Sequence, residues 1–235
     1  MQNKNILVLG AGCELGLSFI GSADYNFWAG YRSKESLMRL ENIKNPKLIP
    51  IKTDFSAPES FTEILASVKQ IDAVADFAQG NYESLVAAAD YDKISDFYKT
   101  NVINRIALIK LIAGKMLRQK HGKMIYISSS AASKINPGQG FYSSAKLACE
   151  QIYKAVGIEL ARKGISCTVI RPGYLNLGRG KDYLAENPEA LNKIPDKNPV
   201  SAESIVNTIN MIINENSASF NGSVITIDGG MNIAK

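Results

Sequence analysis

The sequence places a tyrosine and a lysine at a spacing that could transfer a proton. In GFYSSAKLACE (140–150), Tyr142 and Lys146 are four residues apart, so on a helix they share one face. A free tyrosine has a pKa of about 10, and a neighbouring ammonium favours its phenolate and lowers that pKa. We therefore expect Tyr142 to exchange a proton with a carbonyl or alcohol oxygen while Lys146 tunes it. An isolated pair at this spacing is more often an ordinary helix surface pair, so other features must support this interpretation.

Three glycines directly follow the first apolar run. In ILVLGAGCELG (6–16), Gly10, Gly12 and Gly16 stand where a sharp turn would feed a helix whose N-terminal amides can bind a pyrophosphate. A tight strand-to-helix turn without a ligand would have the same pattern. The turn therefore favours a dinucleotide site only when other features agree.

Seven short apolar runs alternate with longer stretches of helical spacing. Runs that stay apolar are typical of strands buried on both faces, and strands that alternate with helices form a parallel sheet. The predicted fold class is α/β, a Rossmann-type doubly wound sheet of seven mainly parallel strands with helices on both faces. The runs are ILVL (6–9), NFWAG (26–30), KLIPI (47–51), DAVADF (72–77), KMIYI (123–127), CTVI (167–170) and SVITI (223–227).

Length and composition indicate one domain. The 235 residues, 46% of them hydrophobic, suffice for a single core, so residues 1–235 are predicted to form one dinucleotide-binding and catalytic domain. The only long irregular stretch, 174–200, is expected to cover the substrate, and Arg179 and Lys181 within it could favour an anionic or polar group. The net charge of +5 is scattered and indicates no nucleic-acid partner.

Cysteine usage and hydropathy bear on the location of the protein. Cys13, Cys149 and Cys167 are widely separated and His121 is the single histidine, so we expect neither a disulfide framework nor a metal site. His121 itself is expected in a solvated turn. The apolar run before Gly10 is too short for a signal peptide, and no stretch approaches a membrane span. We expect a cytoplasmic protein without a membrane partner.

Together these motifs resemble the short-chain dehydrogenase/reductase family, in its compact single-domain form, over nearly the whole chain. The family pattern of a serine, a tyrosine thirteen residues later and a lysine four further is matched by Ser129, Tyr142 and Lys146. Gly10 and Gly16 match the first and last glycines of the family turn. RPG (171–173) and FNGSVITIDGG (220–230) match the turn after the sixth strand and the last strand.

The resemblance implies a role for each residue of the catalytic set. Tyr142 would exchange the proton, Lys146 would also bond the nicotinamide ribose, and Ser129 would orient the carbonyl. Asn101, in KTNVINRIALIKLI, would hold a water that relays protons to Lys146. Ser128 and Ser130 flank Ser129, but only Ser129 keeps the family spacing. The implied reaction is hydride transfer between a nicotinamide and a small-molecule carbonyl or secondary alcohol, similar to 3-oxoacyl-carrier-protein reductases or to sugar and secondary-metabolite tailoring reductases.

The second strand bears on the choice of cofactor. An acidic residue at its end would bind the ribose hydroxyls of NAD, whereas an arginine suits the extra phosphate of NADP. Arg32 and Ser33 stand there, ahead of the first carboxylate at Glu35, which favours NADP(H) and leaves NAD(H) open; Arg32 could also be only a surface residue. The predicted cofactor-binding residues are Gly10, Gly12, Cys13, Glu14, Leu15, Gly16, Arg32, Ser33, Asp54, Phe77, Ala78, Gln79, Tyr142, Lys146, Pro172, Gly173 and Leu175.

Several positions depart from the family pattern. Glu14 replaces a glycine of the turn, DFAQ (76–79) replaces Asn-Asn-Ala-Gly, and Leu177 replaces a threonine that meets the nicotinamide carboxamide. The segment before Arg32 is also short, which predicts a stubby first helix near LGLSFIGS (15–22). These departures motivate an alternative, a non-catalytic dinucleotide-binding sensor or scaffold, although the intact catalytic set favours an enzyme.

The resemblance also implies a homodimer or homotetramer, because the family commonly pairs two long helices. Apolar residues recur at helical spacing in both corresponding segments and are expected to form core or subunit contacts. They are Ile106, Ile109 and Leu117 in one segment, and Ile152, Val156 and Leu160 in the other.

Overall fold

The computed structural model describes residues 3–215 and 217–234, which form one seven-stranded sheet flanked by helices. All neighbouring strands are parallel, in the order β3-β2-β1-β4-β5-β6-β7. The predicted Rossmann-type sheet is confirmed. Its strands are β1 (Asn5–Leu9), β2 (Asn26–Tyr31), β3 (Leu48–Lys52), β4 (Ala73–Asp76), β5 (Gly122–Ile127), β6 (Ile165–Pro172) and β7 (Val224–Ile227).

Eight α-helices occur in the described ranges, and none of them is long and apolar enough to cross a lipid bilayer. The predicted short first helix is confirmed, since α1 has only 8 residues. The helices are α1 (Glu14–Gly21), α2 (Lys34–Glu41), α3 (Phe61–Ser67), α4 (Tyr91–Tyr98), α5 (Asn104–Gln119), α6 (Gly140–Leu160), α7 (Gly178–Glu186) and α8 (Ala202–Asn214).

The central strand β1 shows why the sheet is covered on both faces. Ile6 and Val8 point into one core, which α1 and α8 close, while Leu7 and Leu9 point into the other, which α3, α5 and α6 close. All four side chains are fully buried. A strand with both faces buried must be apolar throughout, which is why its sequence does not alternate.

Polar side chains define where three of the helices begin. Ser33 accepts a hydrogen bond from the Ser36 amide at the start of α2, Asp90 caps α4, and Ser201 caps α8. Each cap satisfies an amide that has no partner within its helix. The cap at Ser33 also fixes the residues that follow the end of β2.

The segment 174–200 differs from the prediction of an irregular loop. It contains α7 and a 3₁₀ turn over Pro188–Lys193, and a bridge between Leu175 and Val200 closes its base. Leu177 cannot cap α7 with its side chain, and the Gly178 amide instead donates to the Glu14 carboxylate at 3.0 Å. A cap that comes from 164 residues away leaves no local signal in the sequence, so the expectation of an irregular loop was wrong.

The strand order changes direction between β1 and β4: from β1 the chain continues to β2 and β3 on one side, and from β4 it continues to β5, β6 and β7 on the other. The connections that follow β1 and β4 therefore leave on opposite faces of the sheet. A crevice opens at such a point, beyond the carboxyl ends of the strands. The residues that follow β1, β4, β5 and β6 meet there, and they include the glycine turn and Ser129.

Candidate active site

A cavity of about 1000 Å³ lies at the carboxyl edge of the sheet. All four residues of the predicted catalytic set line it, and so do most of the predicted cofactor residues. Those lining residues are Gly10, Cys13, Glu14, Leu15, Arg32, Asp54, Phe77, Ala78, Gln79, Asn101, Ser129, Tyr142, Lys146, Pro172, Gly173 and Leu175. Of the other three predicted residues, Gly12 lies against Ser36, Gly16 lies against the Ala11 backbone, and Ser33 caps α2.

Tyr142 and Ser129 approach each other from different elements. Tyr142 is in the first turn of α6, and Ser129 follows β5. The Ser129 hydroxyl oxygen accepts from the Ala131 amide at 3.1 Å, and the Ser129 side chain lies near enough to Tyr142 to oppose the rise in the pKa of Tyr142. Two neighbouring hydroxyl groups can both reach one carbonyl oxygen.

Lys146 lies one turn further along α6 and is almost fully buried. Its ammonium donates to the Ile127 carbonyl at 2.7 Å and lies 5.0 Å from the centre of the Tyr126 ring, against 5.8 Å for Tyr142. Burial and the nearby Arg105 lower the pKa of Lys146 to about 7. Lys146 is therefore only partly protonated at neutral pH.

The pKa of Tyr142 is raised rather than lowered, which corrects the expectation from its spacing to Lys146. Burial raises it most, Glu83 raises it further, and the Arg179 charge and the Ser129 side chain oppose the shift. The Lys146 ammonium donates its hydrogen bond to the Ile127 carbonyl and not to Tyr142. Burial also lowers the pKa of Lys146, so a smaller fraction of the side chain is charged. The cation that favours the Tyr142 phenolate in this structure is therefore Arg179.

Asn101 lies in a π-helical turn, Lys99–Ile103, between α4 and α5. Its side-chain oxygen accepts from the Gly80 amide at 2.6 Å, and its side-chain amide donates to the Phe97 carbonyl at 2.9 Å. π-Helical turns inside α-helices are frequently found at functional sites. The turn and both hydrogen bonds fix Asn101 in the cavity wall.

Ser128 and Ser129, which follow β5, have different surroundings. Ser128 is buried and donates to the Glu150 carboxylate at 2.5 Å, and Glu150 in turn pairs with Arg171. Ser129 is the serine whose side chain acts on the pKa of Tyr142. Ser128 therefore contributes to a structural ion pair, and the family spacing and the geometry select the same serine.

The glycine turn brings β1 close to the residues that follow β4. Gly10 has a φ of +68°, and a Cβ atom there would lie 2.6 Å from the Ala78 backbone. Gly12 is equally restricted, since its Cβ would lie 2.4 Å from the Ser36 side chain. Larger residues would push the turn away from α2 and Ala78, so the approach to the helix N-terminus needs these glycines.

The DFAQ segment is held by a buried ion pair that the sequence did not reveal. The Asp76 carboxylate bonds the Arg105 guanidinium and accepts from the Tyr153 hydroxyl at 2.8 Å, while its other oxygen accepts from the Ala78 amide at 3.0 Å. Arg105 also donates to the carbonyls of Ala78 and Asn101. The one available signal was an arginine among apolar positions of α5, four residues after Asn101.

The residues beside β2 and β3 suit an anionic, nucleotide-like ligand. Arg32 lines the cavity, and its charge contributes to lowering the pKa of Asp54, which Ser56 lowers more strongly by hydrogen bonds against the effect of burial. The Gln79 side-chain amide is buried without a hydrogen-bond partner and also lines the cavity. A polar ligand that hydrogen-bonds this amide removes the cost of burying it without a partner, which favours binding. With the glycine turn and the α1 N-terminus, these residues fit a dinucleotide.

His121 and the apolar positions of the long helices lie outside the cavity. His121 is half exposed and lies 3.4 Å from Asp72. Ile109 is buried, Leu117 is partly exposed, and the three apolar positions of α6 pack against the core. Those three are Ile152, Val156 and Leu160.

Comparison with known proteins shows which proteins this chain is similar to. A family model described as enoyl-(acyl carrier protein) reductase matches residues 25–232. The chain is 24% identical to the 3-oxoacyl-(acyl-carrier-protein) reductase FabG of Staphylococcus epidermidis over 243 residues, which cover 98% of this chain and 99% of that protein. It is 26% identical to the FabG of Escherichia coli over 182 residues, or 76% of this chain and 74% of that protein.

Solved structures share the fold at low sequence identity. The structure named "ElxO with NADP Bound" has a TM-score of 0.88 at 20% identity and covers 98% of this chain and 99% of its own. A variant of actinorhodin polyketide ketoreductase with NADPH has a TM-score of 0.89 at 20% identity and covers 98% of each chain.

Proposed function

Since this chain belongs to the short-chain dehydrogenase/reductase family, we propose that it is an NADP(H)-dependent oxidoreductase acting on a carbonyl or secondary alcohol. The observation that carries the proposal is the meeting of Ser129, Tyr142 and Lys146 in one cavity with the glycine turn. A non-catalytic sensor or scaffold would not need Ser129 beside Tyr142 or a buried lysine one helical turn away, so we favour the enzyme.

The chain supplies the proton and the positions of the reacting atoms. When bound, the nicotinamide supplies or accepts the hydride. In the direction of reduction, Tyr142 donates its hydroxyl proton to the carbonyl oxygen, and Ser129 donates a hydrogen bond to the same oxygen. The resemblance to the family implies that Lys146 would bind the nicotinamide ribose and would help to reprotonate Tyr142 through a water held by Asn101.

Arg32 supports the preference for NADP(H). It follows β2, lines the cavity and precedes the helix cap at Ser33, where a 2′-phosphate would find a guanidinium and a helix N-terminus together. Arg39 lines the same region but pairs with Glu35 at 2.7 Å. We therefore assign the phosphate to Arg32 and Ser33. The resemblance to the family implies that Asp54 meets the adenine ring.

The relatives suggest the kind of substrate. Several are named 3-oxoacyl-(acyl-carrier-protein) reductases, and one structural neighbour is named a polyketide ketoreductase. A 3-oxo compound is therefore our first choice, and a sugar or secondary metabolite is the second. The segment 174–200, which contributes Tyr174 and Tyr183 to the cavity wall, would cover it.

The assembly and the location complete the proposal. Large apolar side chains on α5 and α6 stay exposed, with 74% exposure at Ile158 and 39% at Leu147, which supports a homodimer or homotetramer built on these helices. The three cysteines are free thiols, as suits a reducing cytoplasm.

Titration of the purified protein with NADPH and NADH, followed by nucleotide fluorescence, tests the cofactor. We expect tighter binding of NADPH, and Arg32→Ala to remove most of that preference, while the control Arg118→Ala on α5 keeps it. Equal binding of both nucleotides by the wild type would contradict the assignment of Arg32.

A carbonyl panel then tests the reaction. Tyr142→Phe should bind NADPH like the wild type and lose reductase activity by at least about a hundredfold, within the range of general acid catalysis. Reduction that persists unchanged in Tyr142→Phe would exclude the mechanism proposed here.

A further inference from the structure

Arg179 stands out among the charged residues of the cavity. It is the second residue of α7, and its guanidinium carbon lies 5.8 Å from the centre of the Tyr142 ring. Among the described residues it forms no ion pair, a property that it shares with Arg32 of the same cavity, whereas Arg39, Arg105 and Arg171 are each paired with a carboxylate. A free guanidinium therefore lies over the tyrosine that faces the reacting carbonyl.

Carboxylates do occur near Arg179, but the structure leaves its charge unpaired. The Glu83 charge raises the pKa of Tyr142, and the Glu83 carboxylate accepts a hydrogen bond from the Gln139 side chain at 3.4 Å. Two carboxylates of α7, Asp182 and Glu186, line the cavity. Three lysines also line it, namely Lys134, Lys181 and Lys193. The cavity as a whole is thus mixed in charge, and the position of Arg179 over Tyr142 is what sets it apart.

A second polar group in the cavity also lacks a protein partner. Both side-chain polar atoms of Asn232 are buried without a hydrogen bond, and Asn232 lines the same cavity. The preceding Gly229 and Gly230 lie against Ile194 and Pro195, so Asn232 is on the side of the segment that follows α7. A buried amide without a partner costs free energy that a polar ligand recovers.

The distances limit where a charged group of the substrate can lie. A carbonyl oxygen that accepts from the Tyr142 hydroxyl lies beyond the hydroxyl end of that ring, in the cavity that Arg179 also lines. A carboxylate one or two carbons away can meet the planar guanidinium with two parallel hydrogen bonds. A neutral group at the same place would leave the guanidinium unpaired.

We propose that the substrate is a short oxo acid, whose carboxylate lies next to or one carbon from the reacting carbonyl and is bound by Arg179. This proposal rests on the reductase function proposed above. The carbonyl carbon gains a hydride and its oxygen gains the Tyr142 proton, so a hydroxy acid forms while NADPH is oxidised to NADP⁺. The carboxylate itself is unchanged and serves only for recognition.

Paired substrates test the proposal. The wild type should reduce acetoacetate or 2-oxobutyrate with a kcat/KM about 10 to 100 times that for the matching methyl ester, the range of a charge-assisted hydrogen bond. Arg179→Gln should bring this acid-to-ester ratio close to one. The ratio cancels any change in Tyr142 acidity, because both substrates use the same proton.

Lys181→Gln is the matched control, since it removes the same charge from the same helix two residues later. It should keep the acid-to-ester ratio within about threefold, the scale of an exposed charge. Collapse of the ratio in Lys181→Gln as well would overturn the proposal, because general cavity charge would then explain the preference. Equal use of acid and ester by the wild type would overturn it too.

A binding measurement separates this proposal from the reductase function. Tyr142→Phe keeps the ring under Arg179 and should not turn substrate over, so calorimetry with NADP⁺ present can compare acetoacetate with its methyl ester. The carboxylate site is supported if Tyr142→Phe binds the acid more tightly than the ester and the Tyr142→Phe, Arg179→Gln double variant does not. This result supports the site even if no reduction is found. If acid and ester bind equally in both variants, the carboxylate site is rejected and the proposed reductase function is unaffected.

Discussion

The chemistry of the cavity depends on Tyr142 and Lys146, whose pKa values are both shifted, and on one exposed cation, Arg179. Lys146 is desolvated and lies near Arg105, so its pKa falls to about 7, while burial raises the pKa of Tyr142. Both shifts favour the neutral forms of the pair. Arg179, at the open side of the cavity, is the remaining cation near the tyrosine.

The low pKa of Lys146 predicts proton uptake when the cofactor binds. At pH 8 the free side chain is mostly neutral, and the phosphates and ribose of NADPH favour its ammonium form, so binding should take up close to one proton. A raised pKa in the complex means that affinity falls as the pH rises above about 7, and that this pH dependence fades below it.

Calorimetry at pH 8 in two buffers of different ionisation enthalpy measures this uptake. At that pH the 2′-phosphate of the cofactor is already fully ionised, so it does not contribute. Lys146→Met should lose the uptake and Lys181→Met should keep it. The same binding heat in both buffers for the wild type would show that Lys146 stays neutral in the complex.

At the scale of elements, a buried ion pair joins β4, α5 and α6. Arg105 and Asp76 are almost fully buried, and Tyr153 from α6 completes the group. Arg105 also holds the carbonyl of Asn101, so the same side chain joins the core to the π-turn. A buried pair of this kind destabilises a protein strongly when one partner is removed.

Arg105→Leu should therefore lower the free energy of unfolding by about 3 to 5 kcal/mol, because it leaves the Asp76 carboxylate buried without its cation. Tyr153→Phe, which removes one hydrogen bond to the same carboxylate, should cost only about 1 kcal/mol. Urea denaturation measures both values. The double variant Arg105→Leu, Asp76→Leu should recover part of the loss, and a loss below about 1 kcal/mol for Arg105→Leu alone would contradict this account.

At the scale of the whole molecule, the long helices α5 and α6 keep apolar groups exposed on the surface. Ile103 precedes α5, Leu111 lies within it, and Leu147 and Ile158 lie eleven residues apart on one side of α6. Apolar side chains clustered on neighbouring helices are typical of a subunit interface.

Ile158→Glu should therefore lower the molecular mass in solution, because a carboxylate buried in an apolar interface has no partner. Light scattering coupled to size-exclusion chromatography measures the mass. Met38→Glu is the control, since Met38 on α2 is 63% exposed and lies away from α5 and α6 in the fold. A wild type that is already monomeric, or an unchanged mass in Ile158→Glu, would contradict an interface at this place.

The resemblance to the family indicated which residues gather at the carboxyl edge of the sheet, whereas the sequence by itself determined the parallel sheet and the short first helix. These follow from local rules, since burial on both faces needs apolar runs, a helix repeats every 3.6 residues, and a turn with positive φ needs glycine. The spacing of Ser129, Tyr142 and Lys146 is local as well, because a strand end and one helix carry all three.

Only the tertiary structure decided the contacts between distant segments and the charges they set. Arg105 and Asp76 are 29 residues apart, and Glu14 reaches Gly178 across 164 residues to begin a helix where an irregular loop was expected. The pKa of Tyr142 also rose instead of falling, because burial and the direction of the Lys146 side chain outweigh the spacing of the two residues. Pairing and desolvation depend on how separate elements pack, which no local pattern in the chain specifies.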